Sequence, residues 1–175
     1  MAPNAAVVGQ VLALTEASVW YGAVVRGDKN KVKIGVGSVI KDRAVVDTVA
    51  SLPSGYPADV DIGRHCTVGA GAVVTSSVLK DGVQVGTGAI VCEGCVMETN
   101  CILAAGSVLP AGTLVPANQF WAGNPAVYQR DVEEEEAGQA AKNAANMAAA
   151  ASRHADEMLP HGFAYVEAEK AGHEA

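Results

Sequence analysis

An apolar side chain recurs every six residues along most of this chain. The repeated positions are Val7, Ala13, Val19, Val25, Ile34, Ile40, Val46, Ile62, Val68, Val74, Val85, Val91, Met97, Leu103, Leu109 and Val115. A small residue such as Ala, Ser or Cys usually follows four places later. Helices repeat near 3.6 residues and ordinary strands repeat every two. A sustained period of six therefore predicts a mainly β protein, a parallel β-helix of hexapeptide repeats whose short strands are separated by sharp corners.

The interruptions of this period indicate loops. Nine residues replace six between Val25 and Ile34, and sixteen replace twelve between Val46 and Ile62. The surplus in the second interval includes residues 53–57, whose Pro-Ser-Gly-Tyr-Pro sequence predicts a protruding loop. The interval from Val74 to Val85 is one residue short, and we place this irregularity around residues 80–82. The period stops after Val115.

From about residue 131 the composition becomes that of a helix. Acidic residues at 133–136 suit a first helical turn because they offset the helix dipole, and the Ala-rich stretch 140–151 consists of strong helix formers. We expect the helix to end at Pro160 and to pack along the β-helix or a neighbouring subunit, since isolated helices are only marginally stable. The predicted organisation is a β-helix over 1–130, a C-terminal α-helix over 131–160 and a tail over 161–175.

Charge and hydropathy exclude some classes of function. The formal net charge is −7 and the pI is near 5.0, so we expect no nucleic-acid partner, which would require clustered Lys and Arg. No run of 18 apolar residues occurs, so we expect no transmembrane segment in the chain itself. Any association with a membrane would then use partner proteins.

The four cysteines allow two interpretations. Cys92 and Cys95 form a CxxC pair, a spacing that can bind zinc or perform redox chemistry. Three of the cysteines, at 66, 95 and 101, occupy the small-residue position of the repeat, and no second CxxC pair is available to complete a structural zinc site. Packing as small apolar side chains is therefore the favoured interpretation.

Several segments together resemble the γ-class carbonic anhydrase family. They are residues 19–22 leading into 25–28, residues 34–35 with 40–42, residues 62–69, residues 85–89, and the Trp-Ala-Gly-Asn-Pro-Ala sequence at 121–126. The resemblance covers roughly residues 7–130. It implies a left-handed β-helix with three hexapeptides per turn, assembled as a trimer. The left hand follows from the resemblance alone, because a period of six does not specify it.

In that family three histidines hold a zinc ion between two subunits. When the family pattern is matched to this sequence residue by residue, the three histidine positions correspond to Asp47, Ala70 and Thr75. A catalytic zinc ion needs three protein donors and a fourth position for water. Because alanine cannot coordinate a metal and threonine is a poor ligand, the resemblance implies no metal, no cofactor and no catalytic residue here.

Other residues of the family's site remain in the chain. Arg26, Asp28 and Asp42 match the family pattern, and we expect them to have structural roles at coil corners and subunit interfaces. The histidines at other positions are not expected to rebuild a metal site. These are His65, His154, His161 and His173.

The resemblance suggests a function that depends on partners. The leading hypothesis is a non-catalytic subunit of a heterotrimer with other γ-carbonic-anhydrase-type subunits. This heterotrimer would attach to membrane-arm subunits of respiratory complex I, on the matrix side of the mitochondrial inner membrane, as in plants and green algae. One alternative is an active, zinc-dependent γ-carbonic anhydrase that hydrates carbon dioxide. A second is a hexapeptide acyltransferase, which would need a histidine base, and only His65 lies within the predicted coils.

Overall fold

The structure is a computed structural model that describes residues 1–139 and 142–154. The predicted helix end at Pro160 and the predicted tail 161–175 lie outside the described residues. Residues 134–139 and 142–154 are helical and are called α1. The strands of the described chain are β1 Ala6–Ala13, β2 Ser18–Val19, β3 Val24–Ile34, β4 Val39–Ile40, β5 Val45–Asp47, β6 Val60–Ile62, β7 Thr67–Val68, β8 Val73–Thr75, β9 Val78–Leu79, β10 Gln84–Val85, β11 Ile90–Val91, β12 Val96–Met97, β13 Ile102–Leu103, β14 Val108–Leu109, β15 Leu114–Val115, β16 Gln119–Gly123 and β17 Ala126–Asp131.

The strands stack as three parallel faces, which confirms the predicted β-helix. Face 1 contains the beginning of β3 with β5, β8, β11 and β14, and face 2 contains the end of β3 with β6, β9, β12 and β15. Face 3 contains β2, β4, β7, β10, β13 and β16, and the antiparallel β17 closes it. The six parallel strands of face 3 correspond to about six turns. The left-handed sense remains a prediction of the family resemblance.

The apolar residue of each hexapeptide points into the core, as the period predicted. From the second turn onward these side chains are fully buried, with Val25, Met97 and Val115 each at 0% exposure. In the first turn Val7 is only partly buried and Ala13 is exposed. The difference arises because no described strand stacks on the outer side of β1.

The cysteines at the small-residue position pack inside the coil. Cys66, Cys95 and Cys101 are buried, and each thiol reaches a backbone carbonyl oxygen 14–15 residues later. Burial raises the pKa of Cys66 and of Cys95 to about 11. Cys92 is partly buried, and all four cysteines are free. The packing interpretation is therefore confirmed for these three residues.

The missing residue of the repeat lies at Ser76, so its predicted place around 80–82 was wrong. Leu79 takes the buried position five residues after Val74 and six residues before Val85. Residues 80–82 instead form an ordinary corner, in which the N–H of Gly82 donates to the carbonyl of Arg64. The period reports how many residues are missing but cannot tell which of two consecutive corners is shorter.

The helix α1 returns along the β-helix from its last turn to its first. It follows β17, and its last described residue, His154, lies against Trp20 and Tyr21 at a centroid distance of 5.5 Å from the Trp20 ring. The 19 described helical positions correspond to about 28 Å of helix, close to six turns spaced about 4.8 Å apart. Ala144 is fully buried. The helix thus packs on the chain's own β-helix, one of the two expected arrangements.

Within the described residues, the structure has no helix long and apolar enough to cross a bilayer.

Candidate functional site

Two of the three ligand positions of the family lie side by side on face 1. Asp47 at the end of β5 is the register partner of Thr75 at the end of β8. Ala70 lies at the corner that precedes β8, where its carbonyl accepts a hydrogen bond from the N–H of Gly88. The structure therefore brings Asp47 and Thr75 together and places Ala70 at the opposite end of the same strand.

Arg26 provides a positive charge next to Asp47. The pairing of Val25 with Val46 puts Arg26 beside Asp47 on the outer surface of face 1. Its Nη2 donates to Oδ2 of Asp28 at 2.8 Å, and its Nε lies 3.9 Å from Oδ1 of Asp47. The hydrogen bond from Arg26 lowers the pKa of Asp28, and the same bond raises the pKa of Arg26. The carboxylate of Asp28 therefore remains ionised beside the guanidinium.

Asp47 also accepts a hydrogen bond from the backbone of a buried threonine, Thr48. Its Oδ1 accepts a hydrogen bond from the N–H of Thr48 at 2.8 Å. Thr48 is fully buried, donates to the carbonyl of Arg26 at 3.2 Å and accepts from the N–H of Asn30 at 3.2 Å. Sequence reasoning did not identify Thr48 or Asn30. Thr48 could have been found from the sequence, because an Asp-Thr pair at the end of a strand, just before a loop, often forms local hydrogen bonds to the backbone.

Asp42 lies apart from this cluster. Its Oδ1 accepts a hydrogen bond from the N–H of Tyr21 at 3.2 Å, which connects the corners of two successive turns. Of the three retained family residues, Arg26 and Asp28 are therefore in direct contact with each other, whereas Asp42 stands at a different corner.

The side chains at the family's zinc position do not fit a zinc ion. Ala70 has no donor atom, Thr75 offers a neutral hydroxyl, and the carboxylate of Asp47 already faces Arg26 and the N–H of Thr48. Across residues 1–139 and 142–154, no three His, Cys, Asp or Glu side chains come together in a group able to hold a metal. The donor set needed for a zinc-bound water is thus lacking at these positions.

The remaining histidines lie elsewhere. His65 occupies a corner with a positive φ of 52°, and its buried Nδ1 has no hydrogen-bond partner among the described residues. His154 is in α1, with its Nδ1 3.2 Å from the hydroxyl of Tyr21. His161 and His173 are outside the described residues.

One cysteine lies near the family's zinc position. Cys92 follows β11, whose pairing with β8 places it beside Thr75 on face 1.

The comparisons with known proteins identify a family. No protein-family model matches the sequence. "Gamma carbonic anhydrase-like 1, mitochondrial" of Arabidopsis thaliana is 44% identical over 170 residues, which are 97% of this chain and 68% of that protein. "Gamma carbonic anhydrase 3, mitochondrial" of the same plant is 46% identical over 157 residues, which are 90% of this chain and 61% of that protein.

A solved structure agrees with the fold. The hexapeptide transferase family protein from Anaplasma phagocytophilum matches with a TM-score of 0.75 and 35% sequence identity, over 86% of this chain and 89% of that one. The chain spans 57% and 61% of the length of two of its curated relatives and 68% of a third. Sequence identity over nearly the whole chain, together with the three-faced β-helix, shows that the chain belongs to the γ-class carbonic anhydrase family.

Proposed function

We propose that this chain is a non-catalytic, structural member of a heterotrimer of γ-carbonic-anhydrase-type subunits. The observation that carries the proposal is the composition of the family's zinc position, where Asp47, Ala70 and Thr75 replace three histidines. Arg26 beside Asp47 adds a positive charge, which opposes a divalent cation. Without three donors, zinc cannot generate the hydroxide that hydrates carbon dioxide.

The outer surface of face 1 supports a role in assembly. Five aliphatic, β-branched side chains stand in register on neighbouring strands and point away from the core. They are Val24, Val45, Val73, Ile90 and Val108. We call this row the aliphatic column. On face 2 the equivalent row is interrupted by Lys33 and Asp61, which form an ion pair at 3.3 Å. A continuous apolar row on an outer face suits a subunit interface.

We further propose that the heterotrimer attaches to membrane-arm subunits of respiratory complex I, on the matrix side of the mitochondrial inner membrane. There it would aid the assembly or stability of the complex. The support is the family membership and the mitochondrial designation of the Arabidopsis relatives. Purification of the native assembly, followed by identification of the co-purifying proteins, tests this placement. Recovery without any complex I subunit would contradict it.

Metal content tests the non-catalytic role. We expect the purified chain to hold less than 0.1 equivalent of zinc, an order-of-magnitude limit set by the missing donors. The variant with Asp47→His, Ala70→His and Thr75→His is the positive control and should gain zinc when it assembles. Stoichiometric zinc in the natural chain that disappears on Asp47→Ala, together with hydration of carbon dioxide, would instead show an active carbonic anhydrase.

Assembly is tested by a charge placed in the aliphatic column. Ile90 is 39% exposed, and Ile90→Lys should prevent association with γ-type partner subunits because a buried unpaired charge is costly. Leu114→Lys is the matched control on face 2, where the side chain is 58% exposed. Sizing of each variant with and without the partners measures the effect. Equal association of both variants would contradict a subunit interface at face 1.

A second candidate function is acyl transfer, which the similarity to a hexapeptide transferase family protein favours. His65 would have to act as the base. Turnover of acetyl-CoA that is lost on His65→Ala would establish this activity. The buried Nδ1 of His65 gives no support to it, since no described group forms a hydrogen bond with this nitrogen.

A further inference from the structure

A second row of outward-facing side chains runs beside the aliphatic column on face 1. Alternate residues of a strand point to the same side of a sheet, so the residue two places after each member of the column also faces outward. This row contains Arg26, Asp47, Thr75, Cys92 and Pro110. Because Val45 and Asp47 are about 7 Å apart along β5, a subunit that covers the column also covers this row.

Asp47 and Thr75 leave two acceptor oxygens of this row without a partner. The contacts of the Asp47 carboxylate, to the N–H of Thr48 at 2.8 Å and to Arg26 at 3.9 Å, both use Oδ1. Within the described chain, Oδ2 of Asp47 and Oγ1 of Thr75 have no hydrogen-bond partner, and neither atom is buried. The two residues are register partners, on strands about 4.8 Å apart. They therefore offer a pair of neighbouring acceptors to a group outside the chain.

The positive charge of Arg26 is already used by Asp28. Its Nη2 donates to Asp28 at 2.8 Å, whereas its Nε is 3.9 Å from Asp47, beyond hydrogen-bonding distance. Lys29 also acts on Asp28. Asp47 thus has no cation in hydrogen-bonding contact among the described residues. Its side chain is 28% exposed, and removing this carboxylate from water under a partner subunit is unfavourable unless the partner supplies a positive charge.

We propose that Asp47 and Thr75 bind one cationic side chain, a lysine or an arginine, of the γ-type subunit that covers face 1. Ammonium and guanidinium groups have several N–H donors, so one group can donate to both acceptor oxygens. A divalent metal ion would need further donors, and the described residues do not provide them. This ion pair rests on the proposed function, since it forms at the subunit interface proposed for face 1.

The test is the Kd between the full chain and a γ-type subunit of the same organism that retains the three histidines. Asp47→Asn removes the charge at nearly constant shape and should raise the Kd about 30-fold or more, as for a buried charge pair. Thr75→Val leaves Asp47 and Arg26 in place and should raise the Kd about tenfold. Asp61→Asn, at an outward-facing position of face 2, is the matched control and should bind as the natural chain does. The urea midpoint checks that each variant is folded.

Salt and a chelator separate an ion pair from a structural role of Asp47. The Kd of the natural chain should rise with NaCl more steeply than the Kd of Asp47→Asn, because salt screens the ion pair. EDTA should leave the Kd of the natural chain unchanged. Equal salt dependence of the two chains would overturn the proposal. Loss of association in EDTA would also overturn it and would show that a shared metal ion joins the subunits.

Ile90→Lys distinguishes failure of the ion pair from failure of the proposed interface. If Ile90→Lys prevents association and Asp47→Asn binds as tightly as the natural chain, the interface stands and the ion pair is wrong. If the natural chain does not associate, or Ile90→Lys associates normally, the interface and the ion pair are both wrong. Self-association that depends on Asp47 would mean that a second copy supplies the cation, which would overturn the assignment to a partner subunit.

Discussion

The hydroxyl of Ser76 donates a hydrogen bond to the carbonyl oxygen of Ala58 at 2.6 Å. The same Oγ accepts a hydrogen bond from the N–H of Val49 at 2.8 Å, so one side chain joins both ends of the protruding loop 49–58. Ser76 is 2% exposed and has a φ of 34°. It also stands at the corner that is one residue short. The inserted loop and the shortened corner are therefore a single structural unit.

Ser76→Ala should release this loop. The substitution leaves the partly buried N–H of Val49 and the buried C=O of Ala58 without their partner, which costs up to about 1–3 kcal/mol for each group left unsatisfied. We expect faster proteolytic cleavage within 50–57 and a lower midpoint in urea unfolding. Ser51→Ala, in the exposed part of the same loop, is the control and should behave as the natural chain. Unchanged cleavage in Ser76→Ala would show that Leu52, which is buried, suffices to hold the loop.

Gly37 and His65 form a close contact between successive turns. Gly37 has a φ of 65°, and a Cβ at this position would lie 2.7 Å from Nδ1 of His65. Gly37→Ala should therefore combine backbone strain of about 1–2 kcal/mol with steric overlap of about 1–3 kcal/mol. Gly71→Ala is the matched control, because Gly71 has a φ of 64° and no neighbouring atom within 4 Å of an added Cβ.

Denaturant unfolding of both variants separates the two contributions. The free energy of unfolding should fall more for Gly37→Ala than for Gly71→Ala, and the additional replacement His65→Gly should recover part of the difference. Equal losses for the two alanine variants would show that the His65 ring moves aside without cost.

Glu136 links α1 to β17 and should make the helix sensitive to acid. Its carboxylate accepts hydrogen bonds from Arg130 at 2.6 and 2.8 Å and from the N–H of Glu133 at 3.1 Å, as in a helix capping box. The hydrogen bonds from Arg130 lower the pKa of Glu136 from 4.5 to about 2. Because the folded pKa is lower than the unfolded value, the stabilisation is complete above pH 4.5 and is lost as the pH falls through 2.

Circular dichroism between pH 6 and pH 2 measures this contribution. The natural chain should be more helical than Glu136→Gln at pH 6, and the two should converge near pH 2. Glu134→Gln, at an exposed neighbouring position, serves as the control and should follow the natural chain. A difference that is constant with pH would show that the charge of Glu136 is unimportant.

Cys92 should be the first thiol to react with a water-soluble disulfide reagent. Cys66, Cys95 and Cys101 are at most 1% exposed, whereas Cys92 is partly buried. Burial raises the pKa of all four thiols, so each reacts slowly at pH 8, and accessibility decides the order. Cys92→Ser should abolish the fast phase in the isolated chain. A fast phase that persists in this variant would place another cysteine at the surface.

The β-helix could be predicted because its repeat places one apolar side chain per hexapeptide in a narrow core. The repeat identifies Ile40, Val74 and Met97 by their apolar side chains and their spacing, and all three are buried. The family resemblance identified Asp47 and Thr75, each directly after a repeated apolar position, and the register shows that they are neighbours. By contrast, the contact of Arg26 with Asp47 and the support from Thr48 depend on side-chain conformations at a strand end, which the repeat does not specify.

The sequence by itself determined the period, the inward-facing residues and the identity of the side chains at the family's zinc position. The period and the inward-facing residues follow from local spacing, since each turn repeats the same packing requirement. The zinc position follows from the family resemblance. Only the tertiary structure decided that the missing residue lies at Ser76, that α1 returns to Trp20 and Tyr21, and that β1 has an open edge. Such features depend on which distant segments meet in space, and a repeating pattern contains no information about those contacts.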